Sequence, residues 1–348
     1  MSFESLKHAR FVAAMAILCI ASASTLAAPP SGNVTSNAFT HAFDALWQDM
    51  DRNYSYFALK PDVDWNQIRA TYLPKCADAK STDEFVTILC ECLANLKDMH
   101  IWVDGPLGRS GTYSVPWRRN WNTMVVRQEL TQVVECGEFA IVGKTRTDGF
   151  GYVGIVDQGK ADEENVRQTV EAIQRIADVP AFIVDLRPGC SGGNELLGRP
   201  IASAFNDSER VYAASRYRIK LEGHALGPVQ TRSLAAGVKP ITCPVACLIG
   251  HRCMSSGEAL VMMFECQPQV TTIGEATRGA SGNPKPFYLP GVDVAVWYSR
   301  WVALTADQQP FEGKGIAPDI LIEALADAYA KTDPTWQRAL EFLREKVK

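Results

Sequence analysis

Val245-Ala246-Cys247-Leu248-Ile249-Gly250-His251-Arg252-Cys253-Met254-Ser255-Ser256-Gly257-Glu258 passes from an unbroken apolar run, through a short turn, into the apolar segment Ala259–Phe264. Five apolar residues closed by Gly250 predict a strand buried on both faces, and Gly257 to Phe264 predicts the helix that follows. A Ser at such a strand-to-helix turn points its hydroxyl outward and has the N–H groups of the helix N-terminus beside it. That is what an acyl-transfer nucleophile needs. The competing reading is that Ser255 or Ser256 caps the helix.

The pattern recurs upstream. Phe182-Ile183-Val184-Asp185-Leu186-Arg187 runs into Pro188-Gly189-Cys190-Ser191-Gly192-Gly193-Asn194. Paired glycines between a buried strand and a helix let backbone N–H groups face a small anion, although a plain tight turn reads equally well. Further strands are expected at 139–142, 152–156, 181–186, 270–273 and 292–298, with helices at 164–176 and 195–205 between some of them. This alternation predicts an α/β domain with largely parallel strands, whose reactive groups collect at the carboxyl ends of the strands.

The N-terminal third has a different texture. Phe39, Phe43, Leu46, Trp47, Met50 and Tyr54 recur at helical spacing, Asp64-Trp65 opens a short helix, and Ser81 with Glu84 marks the start of another. That helical region ends at Leu96-Lys97-Asp98-Met99-His100, just before the apolar Ile101-Trp102-Val103. A lone His is commonly structural, but His100 is one of only four histidines after the first 28 residues, with His41, His224 and His251.

Residues 1–28 carry Lys7, His8 and Arg10, then an apolar run from Phe11 to about Ile20, then small residues to Ala28. This predicts a cleaved signal peptide and a secreted or periplasmic protein with no stable membrane span once the signal is removed. Nine cysteines remain after it, with no CxxC pair and no His pair at ligand spacing, so no metal and no cofactor are expected. Buried thiols with one or two disulfides are the expected state. Asn33, Asn53 and Asn206 each open a glycosylation acceptor triplet, which matters only in a eukaryotic secretory pathway. With 35 Lys and Arg against 39 Asp and Glu, the chain has no excess of cations for a phosphate backbone, so no nucleic-acid partner is expected.

Taken in order, Leu96-x-Asp98-x-His100, Asp185-Leu186-Arg187 with Gly192-Gly193, Ser255-Ser256-Gly257-Glu258, Gly274-Glu275-Ala276-Thr277-Arg278-Gly279, and Glu312-Gly-Lys-Gly315-Ile316-Ala-Pro318-Asp319 make a series. It resembles the C-terminal-processing, or tail-specific, serine peptidase family, with its tricorn-core and interphotoreceptor retinoid-binding relatives, from about residue 39 to residue 323. The resemblance implies a ClpP/crotonase-like α/β core with a small N-terminal helical subdomain. The expected organisation is a signal peptide at 1–28, a helical subdomain at 29–104 and a catalytic core at 105–348. It also implies a peptide or unfolded-protein substrate.

Carried over position by position, the resemblance makes Ser255 the nucleophile. Ser256 N–H supplies one oxyanion donor and Gly192 or Gly193 the other. The tail-specific branch takes its base from a Lys just after the Gly-Glu-x-Thr-x-Gly motif, and Ala280 stands there; the next Lys is Lys285, which leaves a Ser255–Lys285 dyad as the alternative. The tricorn-like branch uses a His from the first motif and a Glu before Gly-Ile-x-Pro-Asp, which here are His100 and Glu312. The expected machinery is therefore a Ser255, His100, Glu312 triad with a backbone oxyanion hole.

Relatives that read protein C-termini commonly carry a PDZ domain, which needs on the order of 80 to 100 residues. Fewer than fifty separate Val103 from Gly151, so no PDZ domain is expected. The same segment holds Trp117, Arg118, Arg119 and Trp121, which could line a substrate cleft and pair with a carboxylate, or form an ordinary surface segment. A non-catalytic binder of an apolar ligand on the same fold is the other functional class, since fold does not settle function. Joint retention of Ser255, His100, Glu312 and the Gly-Gly loop favours the enzyme.

Overall fold

The computed structural model describes residues 36–219 and 223–348. The expected signal segment and Asn33 lie outside the described residues. Three helices open the described chain: α1 (Ser36–Asn53), α2 (Trp65–Asp78) and α3 (Thr82–Ala94). Ser81 caps α3 as its spacing predicts, its side chain accepting Glu84 N–H at 3.2 Å, while the Glu84 carboxylate reaches back to Lys80 N–H at 2.7 Å. Next come β1 (Trp102–Gly105), β2 (Gly108–Gly111), α4 (Thr123–Gln128), β3 (Leu130–Cys136), β4 (Ala140–Thr145) and β5 (Gly151–Ile155). The chain continues through α5 (Glu163–Arg175), β6 (Phe182–Asp185), α6 (Glu195–Ser203), β7 (Arg210–Tyr217), β8 (Gln230–Leu234), β9 (Val245–Ile249) and α7 (Ser256–Glu265). It closes with β10 (Val270–Gly274), β11 (Lys285–Tyr288), β12 (Ala295–Tyr298), β13 (Trp301–Thr305), β14 (Ile320–Leu321) and α8 (Pro334–Lys346).

The central sheet has seven strands in the order β14-β10-β9-β6-β5-β4-β3. Strands β14, β10, β9, β6 and β5 are parallel; β4 and β3 are antiparallel. Alternation along its buried strands feeds two layers. Phe182, Val184, Val245, Cys247 and Ile249 join α5, α6 and α7 in one core, whereas Ile183, Ala246 and Leu248 join Trp336, Ala339 and Leu343 of α8 in another. This is why those strands read as continuous apolar runs. The mixed α/β architecture with a small helical region at the N-terminus agrees with the fold expected from the sequence.

The N-terminal helices do not stand apart. Phe39, Phe43, Leu46, Phe85 and Leu89 share a core with Val296 and Tyr298 of β12 and Val302 and Leu304 of β13. Strand β1 pairs antiparallel with both β12 and β2.

Two expectations are corrected. The disulfides are not formed: all nine cysteines among the described residues are free thiols, six of them fully buried, where burial pushes Cys76, Cys92, Cys190, Cys247 and Cys253 above the ordinary thiol range. Asn206 is no exposed acceptor, because its amide is buried and donates to the carbonyls of Leu234 at 3.2 Å and Ala235 at 3.0 Å. Among the described residues no helix is long and apolar enough to cross a membrane.

Candidate active site

The carboxyl ends of β6, β9 and β10 each release a loop, and the three loops are bonded to one another. Ser255 sits between β9 and α7 with φ 57° and ψ −122°, a left-handed conformation that a side chain adopts only when its surroundings impose it. Ser255 is also the N-cap residue of α7, in a capping-box arrangement with Glu258, so the cap reading and the nucleophile reading fall on one residue whose hydroxyl makes only a loose capping contact. Further bonds to its backbone hold the turn. Ser255 N–H donates to Ala280 O at 2.8 Å and to the Glu258 carboxylate at 3.2 Å, and Met254 N–H donates to Cys190 O at 2.9 Å.

Gly192 and Gly193 have φ of 126° and 143°, which L side chains rarely adopt, and a Cβ placed on Gly192 would lie 3.8 Å from Ser255 Cβ. The paired glycines therefore stand beside the serine. A Cβ on Gly193 would instead press on Gln158 O at 2.7 Å, and the Gly193 carbonyl accepts the Ser256 hydroxyl at 2.6 Å. Ser255, Ser256, Gly193, Ser281, Glu195 and Arg232 line a cleft of about 340 Å³.

Glu258 ties the turn before α7 to the loop after β10. One carboxylate oxygen accepts Thr277 Oγ1 and Gly279 N–H, both at 2.6 Å, and the other accepts Ala280 N–H at 3.0 Å as well as Ser255 N–H. Thr277 Oγ1 in turn accepts Ile316 N–H at 2.7 Å. Burial pushes Glu258 up to about 7 against the pull of those donors. The Ser-x-x-Glu and Gly-Glu-x-Thr-x-Gly motifs thus have a mechanical meaning, since Glu and Thr bond across them.

His100 is nearly buried and Nδ1 of its ring has no hydrogen-bond partner. Burial lowers its pKa, and the Asp98 carboxylate, which accepts His100 N–H at 2.8 Å, opposes that shift. Asp98 also accepts the hydroxyls of Ser299 at 2.8 Å and Tyr54 at 3.0 Å. Glu312 accepts Ser281 N–H at 3.3 Å, one residue beyond the Ala280 carbonyl that holds Ser255 N–H. Burial first, then the Asp98 charge, hold the Glu312 carboxyl well above its usual range. The Tyr56 hydroxyl lies beside Glu312 but outside strict hydrogen-bonding geometry. No hydrogen bond links the His100 ring to Ser255 or to Glu312; what both border is Asp98.

The dyad alternative has the less favourable placement. Ala280 is buried with both backbone groups engaged, and Lys285 is exposed at the start of β11, an edge strand of a different sheet. In the other segment, Trp117 lines a second cleft with Ser191 and Met254, whereas Trp121 is buried in a stack on Trp117 and Arg118 is drawn to Glu275 at 3.1 Å. Not anticipated from the sequence were Tyr54, Tyr56 and Glu195, whose surroundings form only when distant segments meet. Among the described residues no group of three or more His, Cys, Asp or Glu side chains is gathered as a metal site.

No curated protein matches the chain. Among solved structures it is similar to a candidate peptidase from Parabacteroides merdae, at 24% identity over 89% of this chain and 97% of that one, with a TM-score of 0.76. It is also similar to mature CPAF, at 12% identity over 90% and 97% of the two chains and a TM-score of 0.63. The photosystem II D1 C-terminal processing protease matches at 13% identity over 89% and 98%, with a TM-score of 0.52. At these identities the likeness is one of fold. The model of the Tricorn protease C1 domain matches residues 36–94, and that of peptidase family S41 matches residues 149–322. The second match takes in half of the 348 residues, including Ser255, the paired glycines and Glu312, and the chain therefore belongs to peptidase family S41, a family of serine-type peptidases.

Proposed function

We propose that the protein hydrolyses peptide bonds of peptides or unfolded chains through Ser255, with His100 as general base and Glu312 as the group that orients it. The observation that carries this reading is the left-handed Ser255 at the helix N-terminus, facing Gly192. In the proposed cycle His100 takes the Ser255 proton as Oγ attacks the scissile carbonyl. The N–H groups of Ser256 and of Gly192 or Gly193 then receive the developing oxyanion, and His100 returns the proton to the leaving amine. A depressed His100 pKa supports the base role, because the ring stays neutral at neutral pH. The absence of a ring hydrogen bond to Ser255 is compatible with it, since catalytic contacts commonly tighten only around substrate.

The apolar N-terminal run supports export as the place of action, and we infer a secreted or periplasmic enzyme. The test of the chemistry is a fluorophosphonate probe read by intact mass and peptide mapping. Labelling of Ser255 that is lost in His100→Ala is expected. An unlabelled Ser255 in folded protein would overturn the reading, and an assay for an apolar ligand would follow.

A further inference from the structure

The second cleft, of about 290 Å³, lies beside the turn that carries Ser255. Its lining includes Ser191, just before the paired glycines, and Met254, just before Ser255, whereas the first cleft begins at Gly193 and Ser255. A substrate crossing Ser255 would occupy both. Their charges differ. In the first cleft Arg232 is paired with Glu195. The second is lined by Arg252, Arg278, His251 and Trp117, with no carboxylate.

Arg252 is the unusual member. Its guanidinium lies 5.2 Å from the Trp117 ring and 5.9 Å from the Trp121 ring, and those indoles stack with centroids 5.7 Å apart. It forms no ion pair and no hydrogen bond among the described residues, and its Nε is buried without a partner. Stacking of this kind fixes the plane of the guanidinium while leaving its donors unspent. Arg278 is anchored to uncharged partners only: the Val115 carbonyl, Met99 Sδ at 3.3 Å and His251 Nδ1 at 3.5 Å. Of the acidic groups nearby, Glu275 is engaged by Arg118, and Glu258, whose charge reaches Arg278, is already occupied by the donors of Thr277, Gly279 and Ala280. His251 responds to this field: its pKa is lowered by burial and then by the Arg278 and Arg118 charges.

We propose that this cleft is a carboxylate-reading subsite, in which Arg252, backed by Arg278, binds an acidic side chain or the terminal carboxylate of the substrate next to the scissile bond. The proposal rests on the peptidase reading and names what that site selects. Planar Arg donors match a carboxylate in two-point geometry, and a charge-assisted pair in a partly dry cleft discriminates a carboxylate from the isosteric amide.

The experiment measures binding without turnover, using the Ser255→Ala protein and fluorescent peptides that differ only as Glu or Gln, each with a free or an amidated C-terminus. The expected result is that a carboxylate member binds at least about tenfold tighter than its amide. Dependence on Glu identifies a side chain as the source, and dependence on the free terminus identifies the chain end. In Arg252→Gln the discrimination should fall to within about twofold. Equal binding of carboxylate and amide peptides overturns the subsite, as does undiminished discrimination in folded Arg252→Gln. The peptide comparison requires no change at Arg252, so it decides the matter even if that variant does not fold. Loss of discrimination leaves Ser255 labelling untouched, and an unreactive Ser255 leaves the binding result standing, so the two readings fail separately.

Discussion

Glu312 is placed where a carboxylate is hard to ionise: buried, and facing the charge of Asp98. An orienting group supports imidazolium only as the anion, so the burial of Glu312 withholds the charge that the proposed triad would use. The pH dependence follows from these two groups. Activity should fall on acidification only below the ordinary His range, because burial outweighs Asp98 at His100. Above neutrality it should keep rising as Glu312 loses its proton. Glu312→Gln should be slower by about 10²-fold and show no rise on the alkaline side. Acylation rates measured across pH in both proteins check this; parallel profiles would remove Glu312 from the machinery.

The start of α7, which carries Ser255, is set by how closely it meets the loop after β6. A Cβ on Gly257 would sit 1.9 Å from the Cys190 carbonyl oxygen, backbone against backbone, with no flexible side chain to give way. Gly257→Ala should therefore push the start of α7 off that loop, costing about 1–3 kcal/mol and separating Ser255 from Gly192. Denaturant unfolding together with probe-labelling rates would show it. A folded variant that labels at the original rate would mean that the turn does not depend on this contact. The glycine was legible in the sequence as part of Ser-Ser-Gly-Glu, although the contact that demands it was not. Strands β6 and β9 were legible because both faces are covered. Strand β8, Gln230–Leu234, was not, because only Leu234 is buried and the rest is polar. Helix α8 carried a readable signal, an Asp333-Pro334 start with Trp336, Ala339 and Leu343 on one face, and was missed. Ser255, the glycine loop and His100 could be named because each ends or begins an element. The Asp98, Tyr54 and Tyr56 surroundings could not, since they assemble from helices and strands up to 245 residues apart, as the bond from Ser55 Oγ to Arg300 O illustrates.

Arg187 joins parts of the molecule that no single element connects. Fully buried at the end of β6, it donates to both oxygens of Asp185 at 2.9 and 2.8 Å, to Asp333 at 2.8 Å and to Asn120 O at 2.8 Å. Asp333 in turn accepts Trp336 N–H at the start of α8 and Asn122 N–H, both at 2.9 Å. One guanidinium thus ties the central sheet to the segment before α4 and to the C-terminal helix, and it does so at the root of the loop that carries Gly192. Replacing it by Met would leave two buried carboxylates without a cation, a loss of about 3–5 kcal/mol. The sign of its pH dependence is set by those carboxylates. Relief comes when one of them takes a proton in the folded variant, so the folded state then holds protons that the unfolded chain has released. The deficit of Arg187→Met relative to the parent protein should accordingly be larger at neutral pH and shrink on mild acidification. Urea midpoints of the two proteins at neutral and mildly acidic pH measure this directly. A deficit that stays constant or grows on acidification would mean that the buried carboxylates are not what makes Arg187 necessary, and that its loss acts through packing alone.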